Sequence, residues 1–326
     1  MRRLIECVPN FSEGRDPSRI RALVAAMSGI PGAWVLDRHS DADHNRTVIT
    51  VAGEPEAVAE VALRAVGKAA ELIDLREHEG EHPRIGATDV LPFVPVEGVS
   101  MAECATLAHR VGREIWKRYA VPVYFYEAAA MRPDRVHLQI VRKGQFEGLR
   151  EELQRSAERA PDIGDARLHP TAGAVAVGAR KYLIAFNVML NTPDVAIARK
   201  IARTIRESSG GLPGVKAMGV ALKRHGRAQV SMNLTDFERT SPRAAFEAVQ
   251  REAERSGCAI ATTEIVGLVP RAAISRADLA ALKLDRFSPN MILENRLAVA
   301  LADRATNRIL VETGVESPAQ AAPALP

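Results

Sequence analysis

Hydrophobic and polar positions follow two recurring patterns along this chain of 326 residues. Short apolar runs predict strands, and longer stretches with an apolar residue every third or fourth position predict amphipathic helices. A proline opens both helices predicted near the start, where its missing N–H removes no hydrogen bond. The predicted elements there are the strand Leu4–Val8, the helix Pro17–Met27, the strands Ala33–Leu36 and Thr47–Val51, and a helix from Pro55 to about Ile73.

A similar order recurs in the second half of the chain. Strand–helix–strand–strand–helix–strand is the order of the split βαβ, or ferredoxin-like, unit, whose helices cover one face of a sheet. We therefore predict an α+β fold with two ferredoxin-like (βαββαβ) α/β-sandwich subdomains, against the alternative of a chance likeness between two α/β stretches. The second set is Tyr182–Val188 (strand), Pro193 to Arg206 (helix), Val215–Leu222 and Ala228–Leu234 (strands), Pro242 to Arg255 (helix) and Cys258–Val266 (strand).

A longer extension separates the two sets and defines the predicted domains. It is predicted to hold a strand Thr88–Val96, a helix from Ser100 to about Tyr119, a strand Val121–Tyr126, a helix Gly144–Ala160 and a connector rich in Gly, Pro and Ala over 161–178. We predict an N-terminal subdomain over 1–178, a C-terminal subdomain over 179–300 and an extension over 301–326. Small residues and proline dominate the end of that extension, which predicts disorder there.

Composition and charge narrow the class of protein. The net charge of +4, from 44 basic and 40 acidic residues, is too small to favour nucleic-acid binding, and it suits a small anionic substrate. Three cysteines that are far apart predict reduced thiols of the cytosol. No apolar run approaches membrane-spanning length, and Glu6 interrupts the only apolar run near the N-terminus. We predict a cytoplasmic protein without a nucleic-acid or membrane partner.

The stretch HEGEH, from His78 to His82, matches the H-E-x-x-H pattern of zinc metallopeptidases. That pattern needs a helix through both histidines. Gly80 disfavours a helix by about 1 kcal/mol relative to alanine, and Pro83 directs the preceding residue away from helical angles. We therefore predict an extended loop and no metal.

A histidine in such a loop is either solvated or functional. Around His82 the backbone is restricted by Gly80, Pro83 and Gly86, and charged side chains surround the imidazole: Glu81, Arg84 and Asp89. Such a setting can adjust a histidine pKa for general acid/base catalysis.

Two further polar stretches leave alternatives open. DRHSDADHNR, over Asp37–Arg46, can be a metal site, a solvated hairpin loop or, as we favour, a loop lining a substrate pocket. VPNFSEG, over Val8–Gly14, can orient an amide or amino-acid substrate through Asn10 and Ser12. Alternatively, Ser12 caps the following helix.

Several motifs together resemble the formiminotransferase domain of glutamate formimidoyltransferases. They cover roughly the first 270 residues in order, and the match weakens after them. The motifs are ECVPNFSEG (6–14), NRTV (45–48), GEHPRIGATDVLPFVPV (80–96), VPVYFY (121–126), APDIG (160–164), GARKYLIAFNVML (178–190), AQVSMNLTDFE (228–238) and EIVGLVP (264–270).

The resemblance implies transfer of the formimino group from N-formimino-L-glutamate to N5 of tetrahydrofolate, the co-substrate, in histidine degradation. It also implies a homodimer and a substrate tunnel between the two subdomains. By this resemblance the family's catalytic histidine corresponds to His82, which would act as general base and general acid in turn. Its folate-contacting segment falls on Ile163, Gly164, Asp165, Ala166, Arg167, Leu168, His169, Pro170, Thr171, Ala172 and Gly173.

The ligand carboxylates require cations, and arginine suits bidentate carboxylate binding. Arg15, Arg46, Arg84 and Arg180 are the expected partners, while Asn10, Ser12, Asp37 and His39 are expected to line the substrate site.

Two departures from the family qualify the resemblance. Mammalian members carry an acidic residue where this chain has His39, so Asp37 or Asp41 is expected to substitute for it. Bifunctional members continue into a cyclodeaminase domain, so a chain of 326 residues is expected to release its product to a separate cyclodeaminase.

Three alternatives to formimino transfer stay open. They are formyl transfer from N-formylglutamate, a metal-dependent hydrolase using His78, His82 and the Asp37–Arg46 stretch, and a non-catalytic folate-binding module.

Overall fold

The computed structural model describes residues 2–80, 82–222, 226–284 and 286–302. The fold is mixed α+β with two sheets, as predicted. The chain divides into two compact units, one formed by residues 2–180 together with 300–302 and the other by residues 181–299. The predicted disorder at the end of the C-terminal extension lies outside the described residues.

The first unit contains the larger sheet. Its strands are β1 (Leu4–Cys7), β2 (Asn10–Phe11), β3 (Ala33–Asp41), β4 (Arg46–Gly53), β5 (Thr88–Glu97), β6 (Val123–Glu127) and β7 (Val175–Ala179), and its helices are α1 (Pro17–Met27), α2 (Pro55–Leu72), α3 (Met101–Tyr119), α4 (Leu138–Val141) and α5 (Gln145–Arg155).

The strand order across this sheet is β3, β4, then β1 and β2 sharing one position, then β5, β7 and β6. The pairs from β3 to β5 are antiparallel, whereas β7 pairs in parallel with both β5 and β6. Parallel strands need crossover connections, and here α3 connects β5 to β6, while α4 and α5 lie in the connection from β6 to β7.

Helices cover both faces of the β5–β7–β6 part of this sheet, which corrects the prediction of one covered face. Alternate residues of a strand point to opposite faces. Phe125 therefore packs in the core under α1, α2 and α3, while its neighbours Tyr124 and Tyr126 pack in a second core. Val141 of α4 and Leu149 of α5 close that second core. The sequence pattern predicted a helix in the region of α5 but not α4, and it gave no indication of the face that they cover.

The predicted connector over 161–178 is partly wrong, because its last part forms β7 in the middle of the sheet. Small residues allow the close approach, and a Cβ at Gly178 would lie 2.5 Å from the ring of Tyr126. The helix predicted over Gly144–Ala160 is also shorter than expected. It ends at Arg155, and a single 3₁₀ turn, Ala157–Arg159, follows it.

The second unit contains the smaller sheet, with the antiparallel strand order β11, β8, β10, β9. Its apolar core packs α6 and α7 against one face. Its strands are β8 (Ile184–Leu190), β9 (Val215–Leu222), β10 (Arg227–Leu234) and β11 (Ile260–Val266), and its helices are α6 (Val195–Ile205), α7 (Pro242–Arg255) and α8 (Arg276–Ala281). The last described helix, α9 (Leu293–Ala302), begins in this unit, and its final residues, 300–302, are assigned to the first.

Capping side chains define where two of the helices begin. Pro193 was predicted to open α6, but Asp194 is its N-cap, with a side chain that accepts a hydrogen bond from the Ala196 backbone. At α1 the cap is Asp16, so the alternative in which Ser12 caps this helix is wrong. None of the described helices is long and apolar enough to cross a membrane.

Candidate functional site

A small cleft in the first unit brings together residues from the ends of several strands and the loop after α2. Its empty volume is about 180 Å³. The residues that line it are Phe11, Ser12, His44, Asn45, Arg46, His78, His82, Arg84 and Asp89.

His78 has a scaffolding role in the loop after α2. The backbone is not helical at 78–80 or at 82, as predicted. The Nε2–H of His78 donates to the Asn45 carbonyl at 3.0 Å, and Nδ1 accepts from Arg84 Nε at 3.0 Å. Burial lowers the pKa of His78, which agrees with a neutral ring. Because both ring nitrogens are engaged, His78 is a poor candidate for a metal ligand.

Arg84, predicted to bind a substrate carboxylate, is fully engaged within the protein. Its guanidinium forms a bidentate pair with Glu147 of α5, at 2.8 and 2.9 Å, and also donates to the His78 carbonyl at 3.0 Å. The Arg84 side chain is 9% exposed. The structure therefore gives Arg84 the task of tying the loop to α5, and a substrate contact stays a prediction.

His82, the predicted catalytic residue, accepts a hydrogen bond at Nε2 from the guanidinium of Arg46. Burial, then the positive charges of Arg46 and Arg142, and then His44 hold the pKa of His82 well below its usual range. Since a protonated ring would face two guanidinium groups, the imidazole is neutral at physiological pH. A neutral imidazole is the form that can accept a proton.

Arg46 differs from its neighbouring arginines in its partners. Arg142 is paired with Asp89, whose other oxygen accepts the Ile85 N–H at 2.8 Å. Among the described residues, no carboxylate lies within ion-pair distance of Arg46. Burial, and secondarily Arg142, lower the pKa of Arg46 to about 10. A partly buried guanidinium without a counterion is suited to bind an anion.

His44 also lines the cleft, although the sequence indicated it only as a possible metal ligand within Asp37–Arg46 and not as a catalytic or substrate-binding residue. Its ring centroid lies 6.4 Å from that of His82, and the two rings are edge to face at 61°. His44 Nδ1 is 3.1 Å from Asp41 Oδ2. The stretch DADH carried the signal, because an aspartate three residues before a histidine can reach its ring across a tight turn.

The predicted folate-contacting segment reaches the neighbourhood of the cleft at its C-terminal end. The Thr171 and Ala172 carbonyls accept from the Leu75 and Ala87 N–H groups, both at 2.9 Å. His169 Nδ1 accepts from the Ala172 N–H at 3.0 Å. These bonds place the segment's end beside the backbone that flanks the His82 loop.

The other members of this segment have diverse environments. Gly164 packs against the Trp116 ring, and Leu168 packs against the core. Asp165 and Arg167 are exposed and paired with each other at 3.4 Å. The contact of this segment with folate stays a prediction.

The remaining predicted residues divide between the cleft and its surroundings. Ser12 lines the cleft, and its hydroxyl donates to the Gly86 carbonyl at 2.8 Å. Asn10 donates to the Val8 carbonyl at 2.9 Å. Asn10 lies outside the lining, as do the other three residues. Asp37 and His39 are within β3, which extends into the predicted loop as far as Asp41, and Arg180 directly follows β7.

The arrangement combines in one cleft a neutral imidazole, a second histidine and a guanidinium that has no carboxylate partner among the described residues. Such a set can take up a proton, hold a carboxylate and return a proton. Within the described ranges, no group of three or more His, Cys, Asp or Glu side chains has the arrangement of a metal site.

Comparison with known proteins identifies the family. The formiminotransferase domain, N-terminal subdomain, matches residues 4–180, and the formiminotransferase domain matches residues 185–302. The chain is 45% identical over 298 residues to a glutamate formimidoyltransferase of Streptococcus pyogenes serotype M1, covering 91% of this chain and 99% of the relative.

Two further relatives agree with this assignment. A glutamate formimidoyltransferase of Thermoplasma acidophilum is 41% identical over 299 residues, covering 91% of this chain and 98% of the relative. A formimidoyltransferase-cyclodeaminase of Rattus norvegicus is 44% identical over 293 residues, which is 88% of this chain and 53% of the relative. The chain therefore belongs to the formiminotransferase domain family.

Proposed function

We propose that this protein is a glutamate formimidoyltransferase. It transfers the formimino group from N-formimino-L-glutamate to N5 of tetrahydrofolate, giving 5-formimino-tetrahydrofolate and L-glutamate, a step of histidine degradation. The observation that carries this proposal is the likeness to two glutamate formimidoyltransferases over nearly the whole of each relative. Tetrahydrofolate is the co-substrate.

The geometry of the cleft supports His82 as the general acid/base of this reaction. When the N5 amine attacks the formimino carbon, N5 must lose a proton, and the departing glutamate nitrogen must gain one. The Nε2 atom of His82 accepts a hydrogen bond from Arg46 in the cleft, and its lone pair becomes available to the substrate when a bound anion draws that guanidinium away. Arg46 is proposed to bind a carboxylate of the substrate, since it has no carboxylate partner among the described residues.

The finer architecture is part of the same proposal. Numbered within each βαββαβ unit, the strand orders β3–β4–β1/β2–β5 and β11–β8–β10–β9 correspond to 2–3–1–4 and 4–1–3–2, and these orders support two ferredoxin-like subdomains. The subdomains over 1–178 and 179–300, a substrate tunnel, folate contact by 163–173, a homodimer and a cytoplasmic location all stay predictions.

The test is a turnover assay with N-formiminoglutamate and tetrahydrofolate, run with and without a chelator. His82→Gln should lower kcat by about 10²- to 10⁴-fold, the usual contribution of a general acid/base, while tetrahydrofolate still binds in calorimetry. His137→Gln is the matched control, since His137 is exposed and does not line the cleft.

Each outcome has a distinct meaning. Near-normal turnover of His82→Gln would exclude His82 as the acid/base, and a parent enzyme that is inactive with this donor would contradict the proposed reaction. A parallel reaction with N-formylglutamate measures the preference for formimino over formyl.

A further inference from the structure

We propose that His44 is a second catalytic residue of this site, which gives a proton to the departing glutamate nitrogen while His82 takes the proton from N5 of tetrahydrofolate. This inference rests on the proposed function and divides between two imidazoles the proton transfers that the family resemblance assigns to His82 alone.

The first support is the position of His44. It lines the same cleft as His82, with the ring centroids 6.4 Å apart and the rings edge to face. Two groups at this separation can flank one reacting carbon and exchange a proton through a single water molecule. The His44 side chain is 29% exposed, so a ligand in the cleft can reach it.

The second support is the way in which Asp41 holds His44. Asp41 Oδ2 lies 3.1 Å from His44 Nδ1, while Oδ1 accepts the N–H groups of Asp43 and His44, both at 2.8 Å. Hydrogen bonds from His44 hold the pKa of Asp41 well below its usual range, against its burial. The ionised carboxylate fixes Nδ1 as the donor nitrogen, so Nε2 is the atom left to exchange a proton.

The third support is that His82 is poorly suited to hold a proton through the whole reaction. The charges near its ring are positive, because Arg46 donates a hydrogen bond to it and Arg142 adds a second positive charge nearby. An imidazolium at this position is destabilised by desolvation and by like charges. A proton taken up by His82 is therefore released readily to a second group, and His44 has a carboxylate beside its ring to hold it.

The proposed reaction balances as follows. The donor enters as the amidinium H₂N⁺=CH–NH–R, where R is the glutamate carbon skeleton, and the N5 lone pair forms the new C–N bond, leaving a proton on N5. His82 removes that proton. Protonated His44 then gives its proton to the –NH–R nitrogen, the C–N bond to that nitrogen breaks, and R–NH₂ leaves. The product carries N5–CH=NH₂⁺, and the proton on His82 returns to His44.

The experiment compares the parent enzyme with His44→Gln, Asp41→Asn and the control His137→Gln. We expect His44→Gln to lower kcat by about 10²- to 10³-fold, within the range for loss of a general acid, with KM and the dissociation constant of tetrahydrofolate within about twofold of the parent. Asp41→Asn should lower kcat by a smaller factor, because the ring stays but loses its fixed orientation.

A chemical rescue separates a catalytic role from a structural one. In His44→Ala, imidazole added to the assay should restore at least one-tenth of the lost turnover in a saturable manner, because it replaces the missing proton donor. No rescue in a variant that binds tetrahydrofolate normally, or a His44→Gln variant with near-parent kcat, would overturn the inference. If His44→Gln does not fold, the Asp41→Asn and rescue measurements decide. A parent without formimino transfer would instead contradict the proposed function.

Discussion

A buried ion pair at the start of the predicted folate-contacting segment gives the sharpest stability prediction. Arg135 Nη1 donates to Asp162 Oδ1 at 2.6 Å, and the two side chains are 6% and 5% exposed. Asp162 Oδ2 accepts the Phe125 N–H at 2.7 Å, which ties the segment to β6. The Arg135 guanidinium also lies 5.1 Å from the Tyr124 ring centroid. Asp162 therefore fixes the chain directly before Ile163.

The substitution Asp162→Asn removes one charge and keeps the size of the side chain. An amide oxygen can still accept the Phe125 N–H, so the change isolates the loss of the carboxylate opposite Arg135. Leaving a buried charge without its partner costs about 3–5 kcal/mol. Because folded domains are stable by only about 5–15 kcal/mol, we expect a large fraction of the stability of this unit to be lost.

Tryptophan fluorescence in a urea titration measures this loss within the first unit. The two tryptophans, Trp34 on β3 and Trp116 on α3, both lie there, and Trp116 contacts Gly164 of the segment. The matched control is Asp134→Asn, because Asp134 pairs with an arginine at the surface and is 55% exposed. Exposed pairs contribute at most about 1 kcal/mol, so the control should change little.

The result that would refute the reasoning is a loss of less than about 1 kcal/mol for Asp162→Asn, equal to that of the surface control. Such a result would mean that Arg135 is stabilised by its backbone acceptors alone. One of these acceptors is the Ala160 carbonyl, to which Arg135 donates a hydrogen bond.

Three further predictions follow from single contacts. Gly173→Ala should destabilise the first unit by more than about 2 kcal/mol in urea titrations, since φ is +68° and a Cβ would lie 2.2 Å from a backbone carbonyl oxygen. Gly210→Ala is the control: its φ is also positive, but a Cβ there would meet open space, so it should cost only about 1–2 kcal/mol. Glu147→Gln should lower kcat less than His82→Gln and should weaken protection of the His82 loop in hydrogen exchange, because it leaves the charge of Arg84 unpaired; unchanged exchange would contradict this. The free energy of unfolding should fall as pH drops below about 6.5, because His82 then binds a proton in the unfolded chain but, with its lowered pKa, not in the folded protein. The expected slope is about 1.4 kcal/mol per pH unit. The same slope in His82→Gln would contradict this prediction.

Helices whose first residues carry a proline or a capping motif could be predicted from the sequence. α7 begins at Pro242 and ends at Arg255, as predicted, and α3 follows the Ser100 capping box. β7 could not be predicted, because its run of Val, Ala and Gly has the composition of a loop. Its strand conformation depends on pairing with β5 and β6, which lie far away in the chain.

The loop that carries His82 could be predicted from the sequence, but the hydrogen bonds that join this loop to the rest of the site could not. Glycine and proline around His82 indicated a loop, because they act on the local backbone. The hydrogen bond from Arg46 to His82 joins residues 36 positions apart, and that from Asn45 to the Glu79 carbonyl joins residues 34 apart. Periodicity and turn signals describe only neighbours along the chain, so these contacts carry no sequence pattern.

The two histidines of HEGEH show why residue type alone did not assign the chemistry. His78 donates from one ring nitrogen and accepts at the other, both with groups of the protein, so its ring is fixed in one tautomer. His82 receives a hydrogen bond from a guanidinium that itself has no carboxylate partner among the described residues. An anion that binds Arg46 would draw that donor away and would lower the positive charge beside the imidazole. Carboxylate binding and the basicity of His82 should therefore rise together, which makes the base strongest when a substrate is present.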